Sequence, residues 1–201
     1  MMPETRSLIA ELDAALSKAS SPQHLAILQR VTDLFIDGSE TFSDDHVAIF
    51  DEVIGRLIEK TKSPALIELS ARLAPVGNAP ANVIGRLSRD DDIAVSGPVL
   101  DKSGVLTEQT LVEIAKTKSQ KHLAAIAGRT RISEYVTDVL VERGNSEVSC
   151  KTAGNHGARL SDLGFVKLIN RAGSDNALAV AIASRTDMPP ELQPFLKLAL
   201  A

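Results

Sequence analysis

A helix-capping residue followed by an apolar stripe returns along this chain at a nearly fixed interval, and that period limits the folds open to it. The caps are Ser63, Asp91, Ser119, Ser146 and Ser174, spaced 28, 28, 27 and 28 residues apart. In the last four copies the residue four places after the cap is Val95, Leu123, Cys150 or Leu178. The clearest copy reads Ser119–Gln120–Lys121–His122–Leu123–Ala124–Ala125–Ile126–Ala127–Gly128–Arg129. A second series of starts is interleaved with the first: Asn78–Ala79–Pro80, Leu106–Thr107, Ile132–Ser133, Leu160–Ser161 and Met188–Pro189, at intervals of 28, 26, 28 and 28. The unit is therefore a pair of helices, here called A and B, each of roughly ten residues and joined by short turns. Isolated helices that short are marginal in water. Each unit supplies about five or six aliphatics, worth roughly 1.5–3 kcal/mol apiece when buried. None can bury its own stripe, so neighbouring units must stack. The expected fold is all-α, an α-solenoid of short helix pairs with an N-terminal helical cap.

Composition agrees. Aromatics are scarce, with five Phe, one Tyr and no Trp, and an aliphatic, alanine-rich chain favours helices over a sandwich or barrel. The formal charge of −4 gives no global attraction to nucleic acid or acidic membranes. A single cysteine excludes an intrachain disulfide and any CxxC zinc site. No apolar run approaches the ~20 residues of a membrane span, and Met1–Met2–Pro3–Glu4–Thr5–Arg6 leads into charged sequence without a signal-peptide core. A cytoplasmic protein is expected.

Along the chain, Leu8, Leu12 and Leu16 mark a short amphipathic helix over 4–18. Ser21–Pro22 starts another, with Leu25, Leu28, Val31, Leu34 and Phe35 as its stripe and Asp37–Gly38 as its end. From Ser43, the residues Val47, Phe50, Val53, Ile54, Leu57 and Ile58 share one face. Residues 1–62 are thus read as a helical segment packed on an array over 63–201, together one continuous structural domain. Pro98 lies inside a B helix and should kink or shorten it near Val95. The last unit, from Pro189–Pro190 through Phe195 and Leu200, lacks its B helix, which reads as an array cut short.

Chemistry-bearing residues are few. Arg89, Arg143 and Arg171 recur late in the A helices, and Glu108, Glu134 and Asp162 early. An arginine column could hold phosphate, but acids at helix N-termini and bases at C-termini also complement the macrodipole at ~0.3–1 kcal/mol each, the simpler reading. On the B helices the side opposite the stripe is small and weakly polar. It carries Lys121, Ala125, Gly128, Lys151, Asn155, Ala179 and Ala183, the candidate partner-binding residues. His122 departs from its repeat template, and Asn155–His156–Gly157 closes a B helix, with Gly157 suited to a left-handed cap. No carboxylates or further histidines stand at matching spacing, so neither a catalytic nor a metal site is assigned, and no cofactor. Cys150 reads as a buried hydrophobe, and Asp90–Asp91–Asp92 as a cap rather than a calcium loop.

Several runs together resemble a bacterial family known as domain of unknown function 2336. They are Leu34–Phe35, Phe50–Asp51–Glu52–Val53–Ile54–Gly55–Arg56–Leu57, Leu73–Ala74–Pro75 and Asp92–Ile93–Ala94–Val95–Ser96–Gly97–Pro98–Val99–Leu100. Further on come Ser119–Gln120–Lys121–His122–Leu123, Val139–Leu140–Val141–Glu142–Arg143–Gly144, Asn155–His156–Gly157–Ala158 and Arg185–Thr186–Asp187–Met188–Pro189. The resemblance covers nearly the whole chain. It implies an all-helical, HEAT-like protein, longer in other members, and brings no activity or catalytic residues with it.

The function expected is a non-catalytic scaffold whose B-helix surface docks a protein or peptide. The alternative is nucleic-acid binding through Lys116, Lys118, Lys121, Arg129 and Arg131, opposed by net acidity and the lack of stacking aromatics. An enzyme centred on His122 and His156 is the third and weakest reading.

Overall fold

Short apolar periods broken by Ser, Thr, Asp and Pro give helices with abrupt starts, and the computed structural model is built from them. It describes residues 21–59 and 61–199; the helix expected over 4–18, with Leu8, Leu12 and Leu16, lies outside these, as does Leu200. Among the described residues there are twelve α-helices, two 3-10 turns and no strand. An isolated parallel bridge joins Ile132 and Ala158. The chain divides into two compact units, the first ending at Val99 with 103–105 added, the second comprising 100–102 and the residues from Leu106 on.

The first unit holds α1 (Ser21–Gly38), α2 (Asp44–Ile58), α3 (Ser63–Leu73) and α4 (Ala81–Ser88), together with the start of α5 (Ile93–Lys102). Helix α1 packs on α2 and α3, and α4 packs on the same two. Ser43 caps α2 as expected, accepting from His46 N. The face of α1 differs from its expected stripe. Leu25 and Leu34 are exposed at 38% and 61%, while His24, Leu28, Thr32 and Phe35 are buried. The polar members of that face are satisfied by backbone: His24 Nε2 donates to Leu57 O at 2.8 Å and Thr32 Oγ1 to Leu28 O at 2.8 Å. Three phenylalanines close one side of the core. Phe35 meets Phe50 at 5.2 Å between ring centroids, and Phe42 stacks on Phe50 at 5.2 Å. A side chain at Gly38 would collide with the Phe42 ring.

The second unit begins with the end of α5 and continues through α6 (Glu108–Thr117), α7 (Gln120–Ala127), α8 (Glu134–Arg143) and α9 (Ser146–Gly154). It ends with α10 (Asp162–Ala172), α11 (Asn176–Ala183), a 3-10 turn and α12 (Gln193–Ala199). Two layers result. The A helices α6, α8, α10 and α12 pack each on the next, α7, α9 and α11 do likewise, and each of α6, α8 and α10 also packs on the B helix that follows it.

The A-helix starts were legible: Thr107, Ser133 and Ser161 are the N-caps. The B-helix caps were read one residue out, except Ser119. The N-caps are Lys62, Asp92, Asn145 and Asp175. Asp92, Asn145 and Asp175 accept from Ala94 N, Val148 N and Leu178 N at 3.0, 3.0 and 3.1 Å, so these residues, and not the adjacent Asp91, Ser146 and Ser174, hold the role. Helix α5 runs through Pro98 rather than stopping before it. The ring sits in the second turn, so the one N–H it removes would have met Ala94 O in the first.

Candidate interaction surfaces

Measured from the true caps, the B helices bury one set of positions. The third and fourth residues after the cap are Val95 and Ser96, His122 and Leu123, Val148 and Ser149, Leu178 and Ala179; all are buried. The seventh residues, Val99, Ile126, Thr152 and Ile182, are buried as well. This one-residue correction rotates a helix by ~100° and decides the fate of several candidates. Ala179 is 0% exposed and belongs to the core cluster with Phe165, Leu168 and Ile182, so it offers no surface to a partner. Cys150 moves the other way, out of the core to a half-buried position. Of the remaining candidates, Lys121, Gly128, Lys151 and Ala183 are exposed, and Ala125 and Asn155 are half-buried.

His122 occupies a core position, 2% exposed, with its Nδ1 2.8 Å from Ser119 Oγ. The same Ser-x-x-His arrangement recurs at the start of α2, where Ser43 Oγ lies 3.1 Å from His46 Nδ1. Serine and histidine meet in both places because residues three apart at a helix start face one another. His156 is exposed. His122 meets Ser119 at the start of α7, whereas His156 follows α9. Among the described residues no group of three or more His, Cys, Asp and Glu is placed to hold a metal ion. Burial raises the Cys150 thiol above its ordinary value, and the Asp175 charge adds to this while the Ser146 hydrogen bond opposes it. Its partner Asp175 is lowered by bonds from Ser146 and from the α11 backbone.

The arginines point inward at carbonyls. In the A layer Arg143 donates to Ala115 O and Arg171 to Gly144 O at 3.1 Å and Glu142 O at 3.2 Å. Arg86, rather than Arg89, does the same in the first unit, reaching Gly55 O at 3.1 Å, while Arg89 bonds Gly85 O in its own helix. In the B layer Arg129 donates to Leu100 O at 2.7 Å, and Asn155 Nδ2 to Ala127 O at 2.9 Å and Arg129 O at 2.7 Å. Burial lowers the Arg129 guanidinium, with the Asp101 charge opposing it. Arg185 is the fullest case. Its guanidinium reaches Ala153 O, Asn155 O and Ala158 O at 3.1, 2.9 and 2.7 Å, lies 5.6 Å from the Phe165 centroid, and holds Asp187. Apart from Arg89, these guanidinium groups satisfy open carbonyls at the C-terminal end of the helix one repeat back, and Arg185 extends to the turn that follows it. This takes Arg143 and Arg171 from a phosphate column and Arg129 from a basic strip; Lys116, Lys121 and Arg131 remain exposed and Lys118 half-buried.

Gly157 has a role other than the one expected. No described glycine has positive φ; a side chain at Gly157 would collide with Thr130 O, and its own carbonyl accepts from Ile132 N at 3.1 Å. The backbones of two successive turns meet here, and Arg185 clamps the second of them. Residues 155–158 and 185–189, two of the runs that carried the family resemblance, are therefore structural neighbours.

Sequence reasoning missed the outer face of the A layer. Tyr135, Leu163, Val166, Phe195 and Leu198 are exposed at 74%, 61%, 38%, 59% and 76%. The available signal was apolar residues on the side of α8, α10 and α12 away from the buried stripe.

No curated protein and no solved structure matches the chain. A family model described as an uncharacterised protein conserved in bacteria, DUF2336, matches residues 95–195, a span running from α5 into α12. With that match covering half of its length, the chain belongs to the DUF2336 family.

Proposed function

We propose that this chain is a non-catalytic interaction module, a HEAT-like α-solenoid whose B-helix surface docks a protein or peptide partner. The observation that carries the reading is the layer of α7, α9 and α11, which presents Lys121, Gly128, Lys151 and Ala183 to solvent on consecutive packed helices. The small Gly128 and Ala183 let an extended partner approach the helices closely, and Lys121 and Lys151 offer it cationic contacts beside them. The residues that could have carried chemistry instead hold helices together: Arg129, Arg171, Arg185 and Asn155 bond backbone carbonyls, and His122 bonds a cap.

Affinity capture with the full chain tests this. A partner retained by the wild type should fall at least about tenfold with Lys151→Glu combined with Ala183→Glu, at unchanged helicity. Undiminished capture of every partner by the double variant rejects the B surface.

A further inference from the structure

The outer face of the second unit's A layer contains two seams of different character. Between α8 and α10 the seam is closed by polar contacts: Lys167 pairs with Glu142, Arg159 with Glu134 at 3.4 Å, and Ser161 Oγ donates to Asp138 Oδ1 at 2.6 Å. Advancing 28 residues, the interval between Ser133 and Ser161, gives the equivalent positions between α10 and α12. Lys167 becomes Phe195, Glu142 becomes Asn170, Arg159 becomes Asp187 and Glu134 becomes Asp162. Both ion pairs disappear, one into Phe and Asn, the other into two acids.

What replaces them is apolar and uncovered. Leu196 turns inward at 4% exposure, whereas Phe195 and Leu198 fall on the other side of α12 at 59% and 76%. Leu163 and Val166 of α10 are exposed at 61% and 38% on the helix packed against it. Single exposed leucines need no explanation, but four large apolar side chains left exposed on two helices that pack together are more than scattered surface residues.

The charge at the rim of this seam says which kind of partner fits it. Asp162 and Glu191 are exposed at the N-terminal end of the seam, and no described ion pair neutralises either. Asp187 adjoins them in sequence register but is already engaged by Arg185. Lys197 is the exposed base on α12. The preceding seam places Arg159 where this one lacks a cation, so a partner that brings its own completes the arrangement.

We propose that the α10–α12 seam binds an amphipathic helix with an apolar stripe and lysine or arginine at the end meeting Asp162 and Glu191. Its apolar side chains lie over Leu163, Val166, Phe195 and Leu198. This surface is separate from the B-helix face, and neither reading depends on the other.

The test uses the full chain and a labelled leucine–lysine amphipathic peptide of about four helical turns, beside a twin with glutamate for every lysine. Fluorescence anisotropy should show the lysine peptide binding at least about tenfold more tightly than its twin. Phe195→Ser and Leu198→Ser should each weaken it about tenfold, and Lys151→Glu should leave it unchanged. Equal binding of the twins overturns the charge assignment, and binding indifferent to both serine variants overturns the surface. A dimer of the unliganded chain that Leu198→Glu converts to monomer makes a second copy the occupant and overturns the proposal. None of these results alters capture through Lys151 and Ala183, so the two readings fail separately.

Discussion

Both units tie a helix C-terminus to a neighbour with arginine, Arg86 reaching Gly55 O in the first, but the first also secures a helix start from the helix beside it. In the first, Asp51 of α2 caps a neighbour: its carboxylate accepts from Asn82 N at 3.0 Å, Asn82 Nδ2 at 2.8 Å and Val83 N at 2.9 Å. Helix α4 needs this, because its own N-cap is Pro80 and gives no side-chain bond. In the second unit the arginine device recurs from repeat to repeat, at helix C-termini where carbonyls are left open. A helix offers unpaired donors at one end and unpaired acceptors at the other, with a dipole favouring an anion at the first and a cation at the second. A carboxylate is short, so Asp51 must come from a tightly packed neighbour and is 9% exposed. A guanidinium is long and carries five donors, so one arginine reaches several carbonyls a full repeat away. That reach suits a repeating layer.

The comparison breaks first at Arg185. Its side chain is 1% exposed, and Arg185→Ala should cost about 3–5 kcal/mol in urea unfolding, the range for removing one partner of a buried charged network. Arg185→Lys should recover less than half of this, because an ammonium cannot span the same carbonyls. A lysine variant as stable as wild type would remove the reach argument.

Asp51 sharpens the other side. Asp51→Ala leaves buried N–H groups at the start of α4 and should cost about 2–3 kcal/mol. Asp51→Asn, which keeps one acceptor, should fall between the alanine variant and wild type. Equal stability of Asn and Asp at this position would show that charge adds nothing to the cap.

The smallest effect is one of pH. Desolvation raises the Asp187 carboxyl, but the hydrogen bond and charge of Arg185 outweigh it and hold the group below its ordinary value. A carboxyl lowered in the folded state stabilises above its unfolded pKa of about 3.9 and loses that contribution as pH falls through the folded value. Asp187→Asn should therefore be less stable than wild type at pH 7, and the two unfolding curves should converge below about pH 4. Parallel curves across that range would place the dependence elsewhere.

How much was legible follows the range of each interaction. Thr107 and Ser161 were readable as A-helix starts because each accepts from an N–H within one turn, and Ser133 marks its start by position without such a bond. The B helices were found but turned by one position wherever two adjacent residues could each open the helix, as at Ser146 beside Asn145 and Ser174 beside Asp175, and that error put Cys150 in the core and Ala179 on the surface. Leu34 was counted as core because it fits the α1 stripe, yet His24 and Thr32 took buried places once the backbone satisfied them. Of the candidate surface, Lys121, Gly128, Lys151 and Ala183 kept their exposure. Asn155 proved to bond two carbonyls of the preceding repeat.

By itself the sequence determined that this chain forms paired short helices at a regular interval, since capping and apolar spacing act over three or four residues. Only the tertiary structure decided what the polar side chains do. Arg143, Arg171 and Arg185 bond carbonyls that lie 27 to 32 residues back, and a guanidinium meets them only after neighbouring helices have packed. The exposed seam at Phe195 and Leu198 was set at the same stage, because whether an outward apolar residue is covered depends on the neighbours it acquires.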